Sequence, residues 1–226
     1  MGSGLIKSLL DSNPIAKHRR IKMRRALKNT NFTLLAPNCL AGILLHDLGL
    51  RFMTPTVNLM MTQTDFLQFT LHLREYIREE LRFVDLPDEN CPCAYLGGEN
   101  LPSVTIIFTH YRTAEEAKAK WLDRITRINF DNIFVLLEER DGITEDDLHK
   151  LSLLNVRGVV AFTCNQYDAI PYTVYLEKYH SAGEVGNILK KNHLTGSREY
   201  EKYFDFIQWF NKADGKNYDV SEFVRG

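Results

Sequence analysis

The sequence predicts an α/β fold: a three-layer sandwich around a mostly parallel sheet, with an N-terminal basic helix and a C-terminal aromatic helix. Three observations lead there. Short runs that are apolar at nearly every position recur along the chain, and amphipathic helical patterns lie between several of them. Strands buried on both faces read this way, and such strands belong to parallel sheets covered by helices. The third observation is size: 226 residues, 44% hydrophobic and 11% aromatic, supply one sizeable core. At about 100–200 residues per domain, this is a single α/β domain over 29–226 behind a basic helical leader over 1–28.

The elements follow in chain order. Residues 5–28 read as helix, broken around Asn13-Pro14, where proline suits the first position of a new helix. Five apolar runs then end in polar or turn residues. They are Phe32 to Ala36, Thr56 to Met61, Val104 to Phe108, Ile133 to Leu137 and Gly158 to Phe162. Between them, helices are expected over 64–80, from a Thr64 cap, and over 113–128, where Thr113 and Glu116 form a capping box. A third runs over 144–154, with Thr144 and Asp147 repeating the device. From Ser197 an aromatic segment carries Tyr200, Tyr203, Phe204, Ile207, Trp209 and Phe210, and reads as a docking helix that seals the sheet.

Lys plus Arg is 28, Asp plus Glu is 29, and the net charge is -1. That balance gives no footprint for a nucleic-acid partner. The charge is uneven, however. Lys17, Arg19, Arg20, Lys22, Arg24, Arg25 and Lys28 fall within 17–28 with no acid among them. No apolar run reaches the ~18 residues of a transmembrane helix. The start, Met1-Gly2-Ser3-Gly4-Leu5-Ile6, has neither a charged signal-peptide head nor the Ser/Thr of a myristoylation motif. Cys39, Cys91, Cys93 and Cys164 make no metal knuckle, so a reduced, cytoplasmic protein with no metal is expected. Glycine-rich phosphate loops, Gly-x-Ser-x-Gly and His-Glu-x-x-His are absent.

In an open α/β sheet, ligands bind beyond the carboxyl ends of the strands. Those positions hold Asn38 and Cys39, His110 and Tyr111, the loop from Glu138 to Gly142, and Thr163. A cysteine, a histidine and a carboxylate at one edge supply a nucleophile, a base and an orienting acid. Cys39 follows a strand and precedes a helix, where the helix dipole lowers a thiol's pKa. The small Ala41 and Gly42 would let substrate approach the amides of an oxyanion hole. The alternative is a small buried hydrophobe. His110 is either the base or a strand-end cap, and His46 is its competitor, two helical turns from Cys39. The charged loop either orients His110, holds a metal or grips sugar hydroxyls, or is a solvated turn. The cations of the 113–128 helix, Arg124 among them, either bind a phosphate-bearing donor or form a solvated face.

Several stretches together resemble a bacterial family of unknown function often labelled exopolysaccharide biosynthesis protein. They are Asn31-Phe32-Thr33 through Asn38-Cys39, Asp47-Leu48-Gly49-Leu50, Thr54-Pro55-Thr56, Thr109-His110-Tyr111, Lys120-Trp121 to Asn129, Asp131-Asn132 and Arg140-Asp141-Gly142. The resemblance spans about residues 29–210. Where the family has Asn-Cys-Trp-Gly-Gly, this chain has Asn38-Cys39-Leu40-Ala41-Gly42.

The label implies capsule or exopolysaccharide assembly. With the strand-end residues, the expectation is a transferase that moves an acyl group to a sugar hydroxyl. Cys39 is the nucleophile, His110 the base and Asp141 its orienting acid, with Asn38, Tyr111, Arg124, Glu139 and Arg140 binding substrate. The donor is acyl-coenzyme A. The alternatives are a glycosyl or phosphosugar transferase using a nucleotide sugar, and a non-catalytic accessory protein of glycan assembly. The partner is a glycan or lipid-linked glycan precursor. Arg19, Arg20, Lys22, Arg24 and Arg25 would hold the protein on the anionic inner face of the membrane.

Overall fold

The two longest strands, β5 (Ile133–Glu138) and β6 (Gly158–Thr163), are buried at every position and form the centre of a parallel sheet. Their apolar side chains alternate between two covered faces. The computed structural model describes residues 13–225. The sheet order is β1-β5-β6-β7, with β1 at Thr33–Leu35 and β7 at Thr173–Tyr175, every pair parallel.

On one face Phe134 packs edge-on against Phe32, Trp209 and Phe210, and Phe162 meets Phe204 and Phe206. This aromatic layer comes from the chain end, including helix α7 (Phe206–Lys212). On the other face α3 (Gln63–Leu71) packs against β5, and Leu35, Ile133 and Val135 line a cavity shared with Thr70 and Leu71 and with the turn after α6 (Glu145–Lys150). The result is the three-layer α/β arrangement. Helices α1 (Pro14–Ala26) and α2 (Leu40–Leu48) adjoin the aromatic layer. Arg24 of α1 lies over Gly49, which ends α2 in the left-handed conformation, and donates to the carbonyls of His46 and Asp47. A cation at a helix's carboxyl end is favourable.

A second sheet departs from expectation. β2 (Arg82–Val84), β3 (Cys93–Leu96) and β4 (Val104–Ile107) are antiparallel, so the Val104 run is not a strand of the parallel sheet. Val104 and Ile106 are buried while Thr105 and Ile107 are half-buried, the alternation of a sheet covered on one face. A nearly all-apolar sequence concealed that alternation. Thr56 to Met61 is not a strand either: Pro55 and the left-handed Asn58 interrupt it, leaving a single bridge between Met60 and Ile107. The helix expected over 64–80 breaks at His72 into α3 and a short α4 (Leu73–Tyr76). The 113–128 pattern yields α5 (Ala114–Ile125) with its Thr113 cap, and Thr144 and Asp147 form a complete capping box. The aromatic tail is a 3-10 turn, Glu199–Lys202, before α7 rather than one helix. The leader ahead of Asn13 lies outside the described residues. Among the described residues no helix is long and apolar enough to cross a membrane.

Much of the family-like sequence has structural work in this fold. Thr33 Oγ1 donates to Met53 O, and Ala36 N donates to Thr56 Oγ1, so Thr54-Pro55-Thr56 covers the open edge of β1. At the amino end of β1, Asn129 and Asn132 donate to the Asn31 carbonyl. The aromatic layer also explains one glycine. A Cβ at Gly158 would lie 2.8 Å from the Phe134 ring and 3.0 Å from Trp209. Gly158→Ala should therefore destabilise the protein by about 1–3 kcal/mol, measurable as a lower denaturation midpoint, because rigid rings must move.

Candidate functional site

Two different sheets deliver the site's central pair. β1 runs into Pro37-Asn38-Cys39, and Cys39 stands at the start of α2. β4 runs into Thr109-His110-Tyr111. Met61 N donates to Pro37 O, and Met60 exchanges hydrogen bonds with Ile107, so the two strand exits are tied side by side. Cys39 Sγ then lies 3.4 Å from His110 Nε2, with the thiol half-buried and the imidazole exposed. This is hydrogen-bond distance for sulfur, and it permits direct proton transfer.

The residues around the pair fix its position. Asn38 Oδ1 accepts from Leu40 N, taking one of the first-turn amides of α2, and Asn38 Nδ2 donates to Glu138 Oε2. The Glu138 backbone amide in turn donates to Gln63 Oε1. Behind His110, Tyr111 is buried, and Arg124 Nη1 donates both to its hydroxyl and to the Val57 carbonyl, each at 2.6 Å. Tyr111 and Arg124 thus anchor the turn that carries His110. Their polar atoms point inward rather than to a ligand.

The acids sort differently from the sequence expectation. Asp141 is exposed, adopts a left-handed backbone, and has Arg140 as its ion-pair partner at 3.8 Å. The carboxylate in contact with Asn38 is Glu138 instead. Glu139 is enclosed: its oxygens accept from Cys164 N, Asn165 N, Asn165 Nδ2 and the Tyr167 hydroxyl at 2.5–3.0 Å. Burial works against its charge, but these bonds outweigh that and hold its carboxyl below the usual range. Glu139 clamps the loop after β6 to the end of β5. Of the leader cations, Arg19 pairs with Glu201 and Arg24 caps α2, Arg20 is half-buried, and Lys22 and Arg25 are exposed.

Two further expectations change. Burial pushes the Cys39 thiol up, against the lowering anticipated from the helix end. A Cβ on Gly42 would come within 3.1 Å of the Val57 side chain, a close fit that gives the small residue a packing role there. By position, the amides of Ala41 and Gly42 have no acceptor within α2.

Glu138 is not distinguished by the sequence pattern, which groups it with the charged loop that follows. Its signal is a carboxylate closing the wholly apolar run Ile133 to Leu137. Burial raises its carboxyl to about 7, with the Asn38 hydrogen bond and Arg140 pulling the other way. A carboxyl raised in the folded state binds its proton more tightly there, so its contribution to stability falls as pH rises from the unfolded value toward 7. Glu138→Gln should remove this loss. Its melting temperature relative to the parent should therefore climb between pH 5 and pH 8.

Among known proteins, the family model described as Domain of unknown function (DUF1919) matches residues 11–211. An uncharacterized protein of Haemophilus influenzae is 32% identical over 191 residues, covering 84% of this chain and 89% of that protein. With the model spanning both strand exits, the chain belongs to the DUF1919 family.

Proposed function

We propose that this protein is a transferase acting on a cell-surface polysaccharide precursor, moving an acyl group to a sugar hydroxyl through a cysteine thioester. The observation that carries this reading is the 3.4 Å approach of Cys39 Sγ to His110 Nε2 at the carboxyl edge of the sheet. The polysaccharide context comes from the sequence resemblance alone.

His110 takes the thiol proton as Cys39 attacks the carbonyl carbon of an acyl-coenzyme A thioester. The oxyanion of the tetrahedral intermediate faces the first turn of α2, where the Gly42 amide serves as donor. The intermediate collapses, the coenzyme thiolate leaves with the proton from His110, and Cys39 keeps the acyl group. A sugar hydroxyl then attacks, its proton passing to His110, and the Cys39 thiolate departs and recovers that proton. Asn38, pinned by Glu138, holds Cys39 against the imidazole throughout. The helix proposed to bind a phosphate-bearing donor turns Arg124 into the protein, which removes it as a ligand for the diphosphate of coenzyme A and of a nucleotide sugar alike. The acyl reading is favoured by the thiol–imidazole pair, which glycosyl transfer would leave without a task.

Incubation with acetyl-coenzyme A should leave an acetyl group on the Cys39 peptide in a mass map. The adduct should vanish in Cys39→Ala and form at least about 100-fold more slowly in His110→Ala, the range of general-base contributions. In a thermal-shift screen, acyl-coenzyme A at about 100 times its dissociation constant should stabilise by roughly 2.7 kcal/mol. Stabilisation by a nucleotide sugar instead, with no adduct, would replace acyl by glycosyl transfer.

A further inference from the structure

We propose that the amino end of α1 and the loop over 190–197 together form a docking surface for an anionic lipid bilayer. Asn13 joins the two elements. Its Nδ2 donates to the carbonyls of His193 and Leu194, at 3.0 and 2.8 Å, while its Oδ1 caps α1 by accepting from Ile15 and Ala16. Gly196 completes the seam: a Cβ there would lie 2.4 Å from that of Ala16.

Two large apolar side chains project beside this seam. Leu194 is 77% exposed and Ile15 61% exposed, among the most exposed apolar side chains of the described residues. Around them stand the exposed Lys17, His18, Lys22 and Lys190, with Lys191 half-buried, and no described acid pairs with the four lysines. Among the described residues, Glu201 is engaged by Arg19, Glu199 by Lys178 and Lys202, and Asp47 by Arg198. In sequence, Leu5, Ile6, Leu9 and Leu10 precede Asn13. Apolar tips ringed by unpaired cations match a bilayer with anionic headgroups, which receives the tips below the headgroup level and neutralises the lysines.

This surface is not the row of leader arginines suggested by the sequence. Arg19 and Arg24 face the body of the protein, and the loop over 190–197 supplies what the helix lacks. The surface also stands independently of the Cys39 chemistry.

The test is co-sedimentation of the chain with vesicles of phosphatidylcholine alone and of phosphatidylcholine containing 30 mol% phosphatidylglycerol. Binding is expected only to the anionic vesicles and should weaken with added salt. Each cation near the surface strengthens partitioning by about fivefold, so Lys190→Ala with Lys191→Ala should weaken it by about 25-fold. Leu194→Asp should weaken it by about tenfold or more without altering the melt, since the side chain packs on little. Leu153→Asp is the control, an equally exposed leucine in the turn that follows α6. It should bind as the parent does. Absence of binding to anionic vesicles would overturn the proposal. So would full binding by Leu194→Asp, which would reduce the surface to a polyanion patch without membrane insertion.

Discussion

The Met60-Met61 dipeptide makes three backbone hydrogen bonds on which the arrangement of the site depends. Met61 donates to Pro37 at the exit of β1, while Met60 pairs in both directions with Ile107 at the exit of β4. Without that tie, the parallel and antiparallel sheets would be joined at this point only through side chains. With it, two loops far apart in sequence leave their strands side by side, and the distance from thiol to imidazole follows. Each such bond is worth only about 0.5–1.5 kcal/mol net. Their value here is geometric, because they fix the relative position of two sheets that share one hydrophobic core.

On that frame the polar groups divide the labour. Glu138 and Asn38 hold the cysteine side, and Arg124 and Tyr111 hold the histidine side. Both pairs place a charged or titratable group in a buried position and satisfy it with hydrogen bonds, as burial demands. The consequence is a thiol that burial raises and an exposed base within reach. The separation of thiol and imidazole is therefore set by the packing of one sheet on the other.

The parallel strands β1, β5 and β6 were legible because nearly unbroken apolar runs have few other solutions. Helix starts at Thr113 and Thr144 were legible because capping is local chemistry. The second sheet was not, since β2 and β3 are three- and four-residue segments whose identity comes from pairing with β4 rather than from their own pattern. Reading strand ends alone singled out Cys39 and His110, although His110 reaches the edge from a different sheet than the one expected. The same rule could not rank Asp141, Glu138 and Glu139. Which of three nearby acids faces Asn38, which is enclosed and which meets solvent depends on side-chain direction and on partners such as Asn165 and Tyr167, about 25 residues further along the chain. Arg124 and Tyr111 failed in the same way: an arginine on a basic helix looks solvated until its acceptors, the Val57 carbonyl and the Tyr111 hydroxyl, are in place.

The most direct test of the coupling between Cys39 and His110 is the pH profile of Cys39 alkylation by iodoacetamide, followed by peptide mass mapping in the parent and in His110→Ala. Coupling predicts that the parent reacts at lower pH. Removing the imidazole should shift the profile upward by about one unit or more, leaving a thiol governed by burial alone. Superimposable profiles would show that the imidazole does not control the thiol, and would contradict the account of the site.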